Sequence, residues 1–229
     1  MSRIAGDERS GMARRPARRS RENEGMTAAD AEHNWDGSYV GPSPPWDIGR
    51  PQPAFVRLAD AGALSGILLD AGCGTGEHTI LAARSSTSAL GIDISPRAIE
   101  MARRKAAERG VGASFQVLDA LRLATVGEAY DTVLDSGLFH VFDDADRARY
   151  VAAVHAILRP GGHLHLMCFS DRQPGDWGPR RVTEGELLAA FGSGWRIDSL
   201  TPERFDINPV FGSSIAEAWL AQIVRLAPE

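Results

Sequence analysis

Cysteine is scarce in this chain of 229 residues: Cys73 falls inside a glycine-rich turn and Cys168 in an apolar run. Two thiols so placed cannot form a disulfide framework, and a reducing, cytoplasmic setting is the expectation. Lysine is scarcer still, since Lys105 is the one lysine among 25 basic residues. We read that as compositional bias. No apolar run reaches the length a membrane span needs, so no membrane partner is expected. The Arg-rich amino end is followed by no apolar segment of the kind a secretory signal carries. Metal-ligand spacing is missing too: His163 and His165 share one face of a strand, but no third ligand is placed to join them.

Broad positive charge is also lacking, because the net charge is -5. Residues 1–25 hold seven arginines against four acids, a local +3, which leaves -8 for the remainder. We read 1–25 as a disordered leader poor in apolar residues, and expect no nucleic-acid partner. With 43% hydrophobic and 24% charged residues, 26–229 suits one domain. Its parts are a cap over 26–62, a core over 63–169, and a lid with C-terminal strands over 170–229.

What the chain does have is Gly66-Ile67-Leu68-Leu69-Asp70-Ala71-Gly72-Cys73-Gly74-Thr75-Gly76-Glu77. A short apolar run into a carboxylate suits a strand covered on both faces, and glycine at 72, 74 and 76 lets the backbone turn sharply beside a ligand. The dinucleotide fingerprint fails, because position 77 is Glu77 where a glycine is needed. A phosphate-binding P-loop fails at the same place, and His78 stands where its lysine would follow.

Strand and helix then alternate. Strands are expected at Ala89 to Ile94, Ser114 to Ala120, Tyr130 to Asp135, His163 to Phe169, Trp195 to Leu200 and Ala218 to Leu226, with a loop over Asp206 to Ser214. Helices are expected at Ala54 to Ala61, at Glu77 to Arg84, after the Ser95-Pro96 start as far as Arg109, and from Asp144 to Leu158, where Arg159-Pro160-Gly161-Gly162 stops the chain. A last helix opens with the capping box at Thr183 and Glu186. This alternation predicts an α/β fold with a mainly parallel sheet. Pro42 to Pro53 is too rich in proline for either element.

Four successive strands finish at or beside a carboxylate: Asp70, Asp93, Asp119 and Asp135. Asp93, 23 residues past Asp70, sits where two oxygens can accept a ribose diol. Together with the Asp-x-Gly-x-Gly-x-Gly turn, residues 66–168 resemble the core of the class I S-adenosylmethionine (SAM) methyltransferases. Pro44 to Pro53, Asp135 to His140 and Val182 to Leu187 are similar to the heterocyclic-toxin and thiopurine-type branch. The resemblance implies a Rossmann-like, seven-stranded sheet with an antiparallel last strand and helices on both faces. It implies SAM as cofactor, no metal, and transfer of methyl to O or N of a small aromatic or heterocyclic acceptor. Its site would comprise Asp70, Gly72, Gly74, Gly76, Asp93, Ile94, Asp119, Ala120, Asp135 and Trp46 for the cofactor.

For the acceptor we expect Trp35, Tyr39, Phe139 and Trp177 as walls of a flat apolar pocket. His140, just past the fourth strand, is the candidate base. Asp176 to Arg181 departs from the branch it resembles, being more basic and carrying Trp177. The amine-methylating nucleic-acid enzymes resemble one another in a Pro-Pro-aromatic turn after strand four, and here that place reads Ser136-Gly137-Leu138. A non-catalytic SAM-binding regulator is the other alternative. A monomer or homodimer fits the composition.

Overall fold

The computed structural model describes residues 34–127, 129–210 and 212–228. The expected leader over 1–25 lies outside them. Seven strands form one sheet: β1 (Ile67–Ala71), β2 (Ser88–Asp93), β3 (Ser114–Val117), β4 (Tyr130–Ser136), β5 (Leu158–Phe169), β6 (Trp195–Val210) and β7 (Ser213–Arg225). Their order is β3-β2-β1-β4-β5-β7-β6, with β7 antiparallel to both neighbours and the remaining pairings parallel. The order reverses between β1 and β4, so a crevice opens at their carboxyl ends.

Among the described residues five α-helices accompany the sheet: α1 (Pro53–Asp60), α2 (Glu77–Ala82), α3 (Pro96–Glu108), α4 (Asp144–Ile157) and α5 (Glu184–Ala190). Their starts are those the sequence announces. Ser95 accepts the Ala98 N–H with Pro96 in the first turn, Asp143 accepts the Asp146 N–H, and Thr183 and Glu186 close a reciprocal capping box. Leu68, Leu69, Val133, Leu134, Leu164 and Leu166 are wholly buried, so the central strands are covered on both faces.

Three expected boundaries are corrected. Arg159 to Gly162 does not form a turn that stops α4. The helix ends at Ile157, Leu158 is already extended, and β5 absorbs Pro160-Gly161-Gly162 in an irregularity where Tyr130 pairs Leu158 but Thr132 pairs His163. The third strand stops at Val117 because Asp119 caps a 3₁₀ helix over Ala120–Val126, an element the sequence reading missed. The expected loop from Asp206 to Ser214 is mostly hairpin, β6 running to Val210 and β7 starting at Ser213. Its extension is held from outside: the Gln52 side chain brackets the Asp206 backbone at 2.8 and 2.9 Å, and Asn208 N–H reaches Pro45 O at 2.8 Å.

Candidate active site

The glycine turn after β1 is bent onto the end of β2. Cys73 N–H donates to Ile92 O at 2.8 Å, and Gly74 N–H to Asp93 Oδ2 at 2.9 Å. Gly74 and Gly76 have φ of 52° and 85°, and a Cβ on Gly76 would come within 2.7 Å of the Phe115 ring. Glycine is therefore required there on two counts. Beneath the turn Asp70 is 1% exposed; Thr79 Oγ1 donates to its Oδ2 at 2.6 Å, while its Oδ1 has no partner among the described residues. Burial, against the pull of Thr79, drives the Asp70 carboxyl up to about 7. Such a half-satisfied buried acceptor is costly unless a donor arrives.

Asp93 accepts from Gly74 N–H on one oxygen and from Ser95 N–H at 2.8 Å on the other. Burial raises its carboxyl, and the amides of Ser95, Gly74 and Ile94 partly offset that. Each oxygen keeps a second lone pair, enough for a ribose diol. Asp119 accepts from Leu121 N–H at 2.8 Å, which makes it the N-cap of its 3₁₀ helix beside buried Ala120. Asp135 differs: it is fully buried, and its oxygens accept from Leu138 N–H at 2.8 Å and from Phe139 N–H at 3.1 Å. Its carboxylate folds back onto its own turn.

Over the glycine turn lies the segment 34–52. Tyr39 Oη sits 3.1 Å from where a Cβ of Gly74 would be, Trp46 Nε1 donates to that hydroxyl at 3.1 Å, and Trp35 packs edge-on to Trp46 with centroids 5.7 Å apart. Burial first, and then the Asp93 charge, push the Tyr39 hydroxyl well above its usual range. Asp36 fastens the near end, accepting from Ser95 Oγ at 2.8 Å and pairing with Arg97. Asp47 accepts from Thr75 Oγ1 at 2.9 Å, and Gln52 N–H donates to His78 Nε2 at 3.0 Å. Lys105 stands behind them, donating to Thr75 Oγ1 at 2.8 Å and pairing with Glu77 Oε1 at 2.7 Å, while Arg109 takes Glu77 from the other side. Burial pushes the Glu77 carboxyl up, but these two cations outweigh it and hold it below the usual range. Sequence reading missed Thr75, Glu77 and Lys105; the lysine's rarity drew attention only as composition.

The acceptor-side candidates divide. Phe139 is fully buried, with the Arg147 guanidinium 4.8 Å above its ring and Phe191 at 5.8 Å. Trp177 packs edge-on to Phe169 at 6.0 Å. His140 lies between Phe169 and Phe205, at 5.0 and 6.1 Å, and its Nδ1 accepts the Phe169 N–H at 2.9 Å. Burial, then Arg147 and Arg181, lower its imidazole to about 3. The lone pair of Nδ1 is thus taken up by that amide. Phe169 closes an apolar strand and was legible as core only; Phe205 lay in a stretch not read as strand. Among the described residues no group of three His, Cys, Asp or Glu could hold a metal. His163 and His165 stack at 6.1 Å with rings 6° apart.

Residues 68–162 match a family described as "Methyltransferase domain". The 2-heptyl-1-hydroxyquinolin-4(1H)-one methyltransferase of Mycobacteroides abscessus is 33% identical over 168 residues, 72% of this chain and 74% of that protein. The chain belongs to the class I SAM-dependent methyltransferases. A "Probable thiol methyltransferase 2" of Arabidopsis thaliana is 26% identical to this methyltransferase over 85% of it and 87% of the relative. A structure solved under the words "Conversion of a Disulfide Bond into a Thioacetal Group during Echinomycin Biosynthesis" shares 38% identity and a TM-score of 0.75, covering 83% of this chain and 91% of that one.

The residues present fit that cofactor. The orphaned Asp70 Oδ1 under a positive-φ glycine turn suits an ammonium group, and the free lone pairs of Asp93 suit a ribose. SAM, when bound, supplies an electrophilic methyl on a sulfonium. No helix of the described residues is long and apolar enough to cross a membrane.

Proposed function

We propose that this methyltransferase transfers a methyl group to O or N of a small, flat aromatic or heterocyclic acceptor of hydroxyquinolone or phenol type. The observation that carries this reading is the ring cluster at the carboxyl ends of β4 and β5 and along β6. There His140, Phe169, Phe205 and Trp177 meet within 5.0 to 6.1 Å, next to Leu138, which covers Gly72 of the cofactor turn. Ring faces and edges at such spacings favour another aromatic plane by about 0.5–1.5 kcal/mol per pair. The hydroxyquinolone in the name of the Mycobacteroides relative supports the same class. Methyl transfer is an in-line displacement, so the protein's work is alignment and exclusion of water. Trp46, Tyr39 and Trp35 cover the cofactor side, and the ring cluster walls the acceptor side.

A sulfur acceptor is the second reading, favoured by the thiol methyltransferase relative and by the disulfide named with the echinomycin structure. Incubating the enzyme with methyl-labelled SAM and a panel of hydroxyquinolones, phenols, heterocyclic amines and thiols separates the two. Asp93→Ala is the control: calorimetric affinity for SAM and S-adenosylhomocysteine (SAH) should fall about a hundredfold, two charge-assisted contacts' worth. Label transfer to none of the panel, by protein that binds SAM, would end the small-molecule reading.

A further inference from the structure

We propose that His140 acts as a hydrogen-bond donor through Nε2 toward an acceptor that reacts as an oxyanion, so that the substrates are acidic aromatic hydroxyl compounds whose proton leaves to solvent. The inference rests on the aromatic-acceptor reading above and narrows it.

The argument begins with the sheet. β4 ends its pairing at Ser136 opposite Met167, whereas β5 continues to Phe169. The Phe169 amide is thus past the last rung, and an unpaired buried amide is costly. His140 supplies the missing acceptor, with Phe169 N–H to Nδ1 at 2.9 Å. A backbone amide always carries its proton, so Nδ1 must present its lone pair, and the neutral ring must carry its own proton on Nε2.

The tautomer is therefore set by the backbone. Nothing among the described residues hydrogen-bonds to Nε2. That edge of the ring faces the turn at Gly137, whose absent Cβ would lie 3.4 Å from Cε1 and 3.5 Å from Nε2, with Phe205 Cζ 3.9 Å from the same point. Glycine at 137, held at φ of 95°, leaves the donor edge open.

The groups around His140 favour an anion there. Arg147 of α4, ion-paired with Glu186 Oε1 of α5 at 3.2 Å, and Arg181 of the loop after β5 both act to keep the imidazole uncharged. Asp135 of β4 is turned onto the amides of Leu138 and Phe139, Cys168 of β5 is held in its neutral thiol form by burial, and the flanking Phe169 and Phe205 carry no charge. Taking up a proton would cost His140 its bond to Phe169 and put a third cation among these arginines. As a donor it loses nothing.

The reaction then balances without a protein base. The acceptor hydroxyl releases its proton to water, the oxygen lone pair forms the bond to the methyl carbon, and the electrons of the broken carbon–sulfur bond remain on sulfur, which becomes neutral. The Nε2–H and the two arginines favour the ionised acceptor, lowering its pKa in the site.

Three phenols of falling acidity, 4-nitrophenol, 4-cyanophenol and 4-chlorophenol, test this. The pH profile of kcat/KM should break at each phenol's own pKa and move along the series. The visible absorbance of 4-nitrophenol bound to the enzyme with SAH should titrate about one unit lower than in water, a hydrogen bond to charge being worth about that much. His140→Phe should move this bound pKa most of the way back toward the free value and cut kcat/KM about tenfold at pH below it, and His140→Gln should restore part of both. A break at one fixed pH for all three phenols, lost in His140→Phe, would make His140 a base and overturn the proposal. The wild-type series decides this even if the variants fail to fold. If no phenol is bound or methylated while SAH still binds, the aromatic-acceptor reading falls and this inference with it.

Discussion

β1 and β4 both carry a buried aspartate one residue before their end, Asp70 and Asp135, with burial as the first cause raising each carboxyl, to about 7 and about 6. The turns that follow use these acids in opposite ways. Asp135 accepts from the amides of Leu138 and Phe139, so it braces its own loop. Asp70 receives Thr79 on one oxygen, and the other has no partner among the described residues, beneath three glycines. A strand-end carboxylate is thus not a ligand contact by position alone.

The largest expected effect comes from breaking the braced turn. Asp135→Ala strands two buried amides, which should cost about 3 kcal/mol of unfolding free energy in a urea titration. SAH affinity of the folded fraction should stay within about threefold. A selective loss of SAH binding would instead place Asp135 in the cofactor site. Asp70→Asn, which keeps the shape and an acceptor for Thr79, should weaken SAH binding about tenfold by calorimetry. Its urea midpoint at pH 8 should be no lower than wild type, since a neutral amide escapes the burial penalty.

Titration sharpens the same contrast. From roughly pH 4 up to about 7 the folded chain keeps a proton on Asp70 that the unfolded chain has released. Stability from this group therefore falls as pH rises through that window. His78, His140 and His165, buried and neutral with pKa values lowered to about 4, 3 and 4, act in the opposite direction. The measurement is thus the difference: the stability of wild type relative to Asp70→Asn should decline between pH 5 and pH 8. A constant difference would mean that Asp70 is not proton-linked.

The smallest effect concerns the acceptor wall. Trp177→Ala removes a half-buried ring stacked edge-on to Phe169, and should raise acceptor KM about tenfold with SAM KM nearly unchanged. Equal changes in both would remove Trp177 from the acceptor site.

Much of this was readable in one dimension because it depends on local chemistry. Gly74 and Gly76 adopt positive φ, Ser95-Pro96 and Thr183 with Glu186 start helices, and Asp93 ends its strand beside the turn, all from interactions spanning a few residues or one strand pair. Phe139 and His140 fall in the turn after β4, where the sequence put them, and both are buried there. Phe205 and the extended hairpin were missed because Pro202, Asn208 and Pro209 argue for a loop when read alone. Pairing with β7 and with Gln52 and Pro45 overrides them.

By itself, then, the sequence determined the glycine-rich strand–turn–helix unit, the row of strand-end acids and the mainly parallel character of the sheet, since hydrophobic period and turn chemistry act over short distances. Only the tertiary structure decided which donors meet those acids, that the Phe169 amide meets His140 Nδ1, and how Lys105 braces the glycine turn. Those outcomes depend on which donor meets which acceptor after folding, between partners far apart in sequence: Lys105 and Thr75 are 30 residues apart, and His140 and Phe169 are 29 apart.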